Sequence, residues 1–237
     1  MKKAGTVFLL CILYLGTAFV FFLLCAAGNR VVTVVSDQIE DSRRICIILD
    51  AGHGGEDGGA ISCTGKPESS YNLQIALRLE CVLNLMGLKT EMIRRTDTSV
   101  YTEGATIASK KVSDLKARVK TVNQTPDGLL VSIHQNTFPD RRCSGAQVFY
   151  ASDEGSKALA KDLQDAICRI LNPDSHRKAK QSSGVYLMDR ITCPGILVEC
   201  GFLSNPEEEA LLASPAYQKK ISGVIAAAVS TYCAKKD

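Results

Sequence analysis

The residues best equipped for chemistry stand at the ends of apolar runs. Ile45-Cys-Ile-Ile-Leu-Asp50 reads as a buried strand, and His53 follows it inside Gly52-His53-Gly54-Gly55. Glycines at that point let backbone and a bulky partner come close, so His53 is presented rather than packed. Leu129-Leu-Val-Ser-Ile-His134 repeats the shape and closes on another of only three histidines. Two imidazoles at the ends of two parallel strands can converge on one point at the carboxyl edge of a sheet, where α/β proteins place their sites. That arrangement suits a metal ion. The third histidine, His176, sits in the basic stretch that continues Arg177-Lys-Ala-Lys180 and reads as solvated.

A zinc hydrolase usually keeps three protein ligands and one open position for water. His53 and His134 supply two, and the third must be a carboxylate on a loop near His53. Glu68, in Gly65-Lys-Pro-Glu68-Ser-Ser-Tyr-Asn72-Leu, stands just before a helix from which it could fold back toward the strand ends. It could equally be a charge that the helix dipole favours. Glu56 and Asp57 lie closer in sequence and read as residues that orient the glycine loop. Glu199 ends the run Gly195-Ile-Leu-Val-Glu199, a poor place for a charge without a purpose. Its alternatives are metal ligand, buried ion-pair partner and general base, of which the base is favoured. A glutamate beside water whose pKa zinc lowers to near 7 can take a proton and later pass it to a leaving nitrogen. Amide hydrolysis is the chemistry that follows.

The elements that must position these groups alternate between strand and helix, which predicts one α/β domain with a twisted, mainly parallel sheet and helices on both faces. After the first strand, Tyr71 to Met86 carries a helical stripe through Leu73, Ala76, Leu79 and Leu83, capped by Gly87. Strands are expected at Lys89 to Arg94, Ala146 to Tyr150, Gly184 to Leu187 and Gly195 to Glu199. Helices are expected at Asp114 to Asn123, Glu154 to Leu171, Pro206 to Leu212 and Tyr217 to Cys233.

The chain has 237 residues, and between Lys3 and Arg30 none is charged. As a helix, Ala4 to Ala27 would be about 36 Å long at 1.5 Å per residue, enough to cross a hydrocarbon core of about 30 Å. Lys2 and Lys3 predict a cytoplasmic N-terminus and an exported remainder. Residues 1–29 therefore read as a signal anchor, 30–44 as a stalk and 45–237 as the catalytic domain. A cleaved signal peptide is the alternative, since Cys25-Ala26-Ala27 offers small residues, while Leu24 argues against lipid modification of Cys25. Lysines 2 and 3 aside, 26 basic residues face 25 acidic ones, so no basic field for nucleic acid exists. The cysteines beyond the membrane segment show no CxxC spacing and read mainly as small buried apolar residues, with one or two bridges allowed.

The blocks LDAGHGGEDGGA, the Glu68 segment ending in YNL, SIHQN, SGAQVFY and LVECGFLSN resemble, in order, those of the zinc-dependent N-acetylmuramoyl-L-alanine amidases. The resemblance covers roughly residues 45 to 233. Within that family, the segment His176 to Met188 and the anchored start are similar to the amidases that act on the spore cortex. The resemblance implies Zn²⁺ held by His53, Glu68 and His134, with Glu199 as the catalytic glutamate. It implies hydrolysis of the amide between the muramic acid lactyl group and L-alanine in peptidoglycan, outside the cytoplasm. The reading extends to muramic δ-lactam formation in spore cortex, with cell separation or wall turnover as the alternative role.

Asn136, Arg95 and the Ser183-Gly184 neighbourhood are candidate substrate contacts. Cys200, where the family commonly has an apolar residue, should point to the face opposite Glu199 and into the core. Family members held inactive carry a long helical insertion that this chain lacks, so control would come from expression, metal occupancy or a partner protein. Two rival readings are a cysteine amidase pairing Cys200 or Cys143 with His134, and a wall-binding module with an inactive site. A dinucleotide site is excluded, because Asp57 stands where GxGxxG requires glycine.

Overall fold

The computed structural model describes residues 45–236. The anchor and stalk readings, residues 1–29 and 30–44, lie outside the described residues. Six strands form one sheet: β1 (Cys46–Ala51), β2 (Lys89–Met92), β3 (Gly128–Asn136), β4 (Gln147–Tyr150), β5 (Lys180–Gln181) and β6 (Gly195–Phe202). Their spatial order is β2-β1-β3-β6-β4-β5. All pairings are parallel except β4 with β6, which makes the sheet mixed.

Side-chain alternation sorts the three central strands between two cores. Ile47 and Leu49 of β1, Leu129, Val131 and Ile133 of β3, and Ile196, Val198 and Cys200 of β6 share one buried cluster. Helices α1 (Glu68–Leu85), α3 (Glu154–Ile170), α4 (Pro206–Ala213) and α5 (Pro215–Ala234) contribute to that cluster. Ile48, Leu130 and Leu197 join a smaller cluster on the other face, with Val119 and Val122 of α2 (Ile107–Gln124) and with Leu187 and Met188. By the same parity, Asp50, Ser132, His134 and Glu199 belong to the second face. Cys200 is buried on the first, as expected from its place beside Glu199.

Local differences from the sequence reading have physical causes. Helix α1 begins at Glu68 rather than Tyr71, so the carboxylate belongs to its first turn, after Pro67 at the N-cap. Helix α2 begins at Ile107, seven residues earlier than the apolar pattern suggests. Its first half is solvent-facing and held by a capping box between Thr106 and Ser109, which leaves no apolar stripe to read. The segment Gly184 to Leu187 is not a strand; turns there include Asp189 N–H donating to Val185 O, and the sheet instead takes Lys180–Gln181 as β5. Cys46 and Cys200 are buried, but Cys63 and Cys81 are exposed. Among the described residues no helix is long and apolar enough to cross a membrane.

Candidate metal centre

Strand register sets the site. His134 of β3 lies directly beside Glu199 of β6, and the pairing slips between His134 and Asn136, ending regular sheet at this point. Gly52, just past β1, donates to Ile133 O at 3.0 Å, which holds the loop carrying His53 against the end of β3. The ring centroids of His53 and His134 are 5.0 Å apart, at 75° to each other. Glu68 reaches both: its Oε2 lies 3.3 Å from His53 Nε2 and its Oε1 lies 3.0 Å from His134 Nδ1. One ligand atom from each of these three residues lies within 4.8 Å of the others.

The surroundings hold this set in place. Asp57 Oδ2 is 2.9 Å from His53 Nδ1, which leaves Nε2 as the nitrogen that faces Glu68. Ala60 N–H donates to Glu68 Oε2 at 3.0 Å. Burial pushes the Glu68 carboxyl up, but the His134 hydrogen bond and the charges of His134 and His53 outweigh it and bring it to about 2. Glu199 behaves oppositely. Burial dominates, a neighbouring Glu68 adds to it, and the carboxyl is pushed up to about 7 against the pull of His134. Its Oε2 is buried and accepts no hydrogen bond.

Two buried arginines shape the loop. Arg94 donates to Ala51 O at 2.7 Å, Gly52 O at 3.0 Å and Ser69 O at 2.9 Å. Arg118, on α2, pairs with Asp50 and donates to Ala51 O at 3.1 Å and His53 O at 2.7 Å. His53 itself sits at φ 60°, an uncommon conformation for a residue with a Cβ. Carbonyls fixed on both sides keep it there, an instance of local strain supported by its surroundings.

Glycine keeps the cradle open. A Cβ on Gly52 would lie 2.1 Å from His134 Nε2, and one on Gly59 would lie 2.6 Å from Glu68 Oε2. Gly52→Ala is therefore expected to displace the His134 ring and lower kcat/KM at least about 100-fold, since misplacement of about 1 Å costs that much. Zinc titration of the same variant should show weakened binding while far-UV circular dichroism stays unchanged.

The other candidates fall outside the cluster. Arg95 forms a bidentate pair with Glu80 of α1. Asn136 bonds the following Thr137 N–H through Oδ1 at 2.8 Å. Glu56 pairs with Lys110, and His176 is exposed. Ser183 and Gly184 are exposed, next to Val185, which lines a cleft of about 190 Å³ together with Leu115, Leu187, His53, His134 and Glu199. Arg118 and Arg94 are among the residues the sequence reading missed.

Two imidazoles and a carboxylate suit a divalent cation, and beside them lies a buried Glu199 oxygen with no hydrogen-bond partner. Fold and donor set together define an α/β domain with a group of two histidines and a glutamate that could hold a metal ion. Residues 47–231 match the sequence profile of the N-acetylmuramoyl-L-alanine amidase family, and the chain belongs to it. It is an N-acetylmuramoyl-L-alanine amidase, cutting the amide between the muramoyl group and L-alanine.

A germination-specific N-acetylmuramoyl-L-alanine amidase of Bacillus subtilis is 41% identical over 193 residues, covering 80% of each chain. Among solved structures, the CwlD amidase of Clostridioides difficile in complex with the GerS lipoprotein matches with a TM-score of 0.76 and 36% identity, over 79% of this chain and 97% of that one. An N-acetylmuramoyl-L-alanine amidase of Clostridium difficile 630 matches with a TM-score of 0.71 and 29% identity, over 83% of this chain and 100% of that one.

Proposed function

We propose that His53, Glu68 and His134 hold Zn²⁺ and that Glu199 is the general base and acid of the amidase reaction. The observation that carries this reading is the convergence of three donor atoms within 4.8 Å beside a buried carboxylate oxygen with no hydrogen-bond partner. When bound, zinc supplies Lewis-acid polarisation of the scissile carbonyl and acidifies water. Glu199 accepts a proton from the attacking water and delivers it to the departing alanine nitrogen. Leu115, Val185 and Leu187 form an apolar wall of the cleft that limits water around the reacting amide.

The substrate is peptidoglycan, and likeness to the germination-specific amidase supports a role in spore germination; the proposal extends to the spore cortex and to muramic δ-lactam formation there. The relative solved with a lipoprotein supports control by a protein partner. Residues 1–29 as a signal anchor, 30–44 as a stalk and 45–237 as the catalytic domain place the reaction outside the membrane, in the wall or the forespore intermembrane space.

Digestion of purified peptidoglycan, followed by mass analysis, tests the reaction. Free L-alanine amino termini should accumulate with zinc and cease after chelation, then return on adding zinc back. Thiol alkylation should leave the rate unchanged, because the proposed reaction uses no thiol: Cys200 is buried, with its thiol pushed well above the ordinary range by that burial, and the half-buried Cys143 has no part in it. Loss of activity on alkylation but not on chelation would favour the cysteine amidase instead. Retention of intact wall without any new amino terminus would favour the binding module.

A further inference from the structure

One side chain touches the supports of all three proposed ligands. Asn72 lies one helical turn after Glu68 on α1 and is fully buried. Its Nδ2 donates to Glu68 Oε1 at 3.1 Å and to Gly52 O, also at 3.1 Å. Its Oδ1 accepts from Gln135 Nε2 at 3.2 Å. Gly52 precedes His53, and Gln135 follows His134. Gln135 also donates its backbone N–H to Glu68 Oε1 at 3.1 Å.

We infer that Asn72 is a positioning residue that sets the spacing of His53, Glu68 and His134 before a cation binds; the inference rests on the reading of those three as zinc ligands. A primary amide is the side chain that this position needs. Two N–H donors meet a carboxylate and a carbonyl while the oxygen meets the Gln135 amide, so the position uses both donors and the acceptor of one primary amide. An apolar side chain of similar size satisfies none of them, and a carboxylate offers no donor and repels Glu68. Glu68, released from the Asn72 N–H, loses one of the bonds that fix its rotamer. Partners of this kind behind a metal ligand typically contribute about 10- to 100-fold in metal affinity.

The test is zinc affinity by competition with a chelating dye, on the purified full-length protein. Four variants are compared: Asn72→Leu, Asn72→Asp, Glu68→Ala and Gln164→Leu. Gln164 is another fully buried amide, and it serves the sheet instead of the site: its Oε1 accepts from Val148 N–H at 2.8 Å and Gln147 Nε2 at 3.0 Å. Both Asn72 variants are expected to bind zinc about 10- to 100-fold more weakly. Gln164→Leu should lower the thermal midpoint yet keep zinc affinity within about two-fold, well inside the loss expected at Asn72. Bound Co²⁺ should show an altered visible spectrum in Asn72→Asp, a readout that a merely structural role would not move. Asn72→Asp decides the matter if Asn72→Leu does not fold. A folded Asn72→Asp protein with wild-type zinc affinity, beside a Glu68→Ala protein that has lost it, would overturn the role of Asn72 and leave the ligand set standing. Equal weakening by Gln164→Leu would also overturn it. Wild-type affinity in Glu68→Ala would overturn the ligand set itself.

Discussion

Glu199→Gln should abolish the proton transfer and lower kcat by about 10²- to 10⁴-fold, with zinc content unchanged. The same substitution should raise the stability of the zinc-free protein at pH 8 more than at pH 5. The sign follows from linkage. Burial first, then the charge of Glu68, raises the folded-state pKa of Glu199 to about 7, against about 4.3 in an unfolded chain. Between those values the folded state binds more protons than the unfolded one, so stability falls as pH rises. Glutamine cannot ionise and removes that loss. Glu68 does not blur the comparison, because its carboxyl is held at about 2 and its stabilising contribution is lost only as pH falls below about 4.3. Thermal midpoints of both proteins at pH 5 and pH 8, with zinc removed, check the widening gap. An unchanged gap would mean that Glu199 is no strained acid, and a near-wild-type kcat would remove it from the mechanism.

Arg118→Met should be among the most destabilising single changes in the domain. The guanidinium and the Asp50 carboxylate are both buried, at 3% and 1% side-chain exposure. Deleting one partner of such a pair typically costs about 3–5 kcal/mol, because the other charge is left buried without compensation. For a domain of this size that corresponds to a thermal midpoint lowered by roughly 10 °C. Activity should fall further than stability alone explains, since Arg118 also holds Ala51 O and His53 O and thereby the left-handed His53 backbone. The double variant Asp50→Asn with Arg118→Met should recover part of the stability and none of the activity. Burial raises the Asp50 carboxyl, but the charges of Arg118 and His134 and the hydrogen bond from Ser132 outweigh it and hold it below the usual carboxylate range. Its stabilising contribution is thus present at neutral pH and lost in acid, so the wild type should show a steeper acid transition than the double variant.

His134 and Glu199 are legible because each terminates an apolar run, where an ionisable group has few structural uses, and His53 because it stands in a glycine loop just past such a run. Glu68 was legible as a candidate only, since its position before the α1 stripe suits a dipole charge as well as a ligand; family blocks raised it above that alternative. Asp50 also ends an apolar strand, and the reasoning that singled out Glu199 would have demanded a buried cation for it. Arg118 was hidden because it lies 68 residues away, on a helix whose first half is polar. Arg94 and Arg95 illustrate a limit of spacing arguments. They are adjacent in sequence, yet Arg94 clamps the loop that carries His53 and Arg95 pairs with Glu80. The chain leaves β2 at Met92 before reaching either, so strand alternation does not say which one turns inward.

The antiparallel β4 was not legible either. Val148 to Tyr150 is a short apolar run with no turn signal that separates a parallel crossover from a reversed strand. The segment Gly184 to Leu187 looked like a strand because its apolar residues are consecutive, but Leu187 and Met188 pack under the sheet from turns, on the same side as α2.

Anomalous diffraction at the zinc edge, from crystals of the zinc-loaded protein, tests the ligand assignment most directly. A single strong peak should lie within about 2.0–2.2 Å of His53 Nε2, His134 Nδ1 and a Glu68 oxygen, with Glu199 outside the coordination sphere. A peak bound elsewhere, or one bonded to Glu199 in place of Glu68, would contradict the assignment.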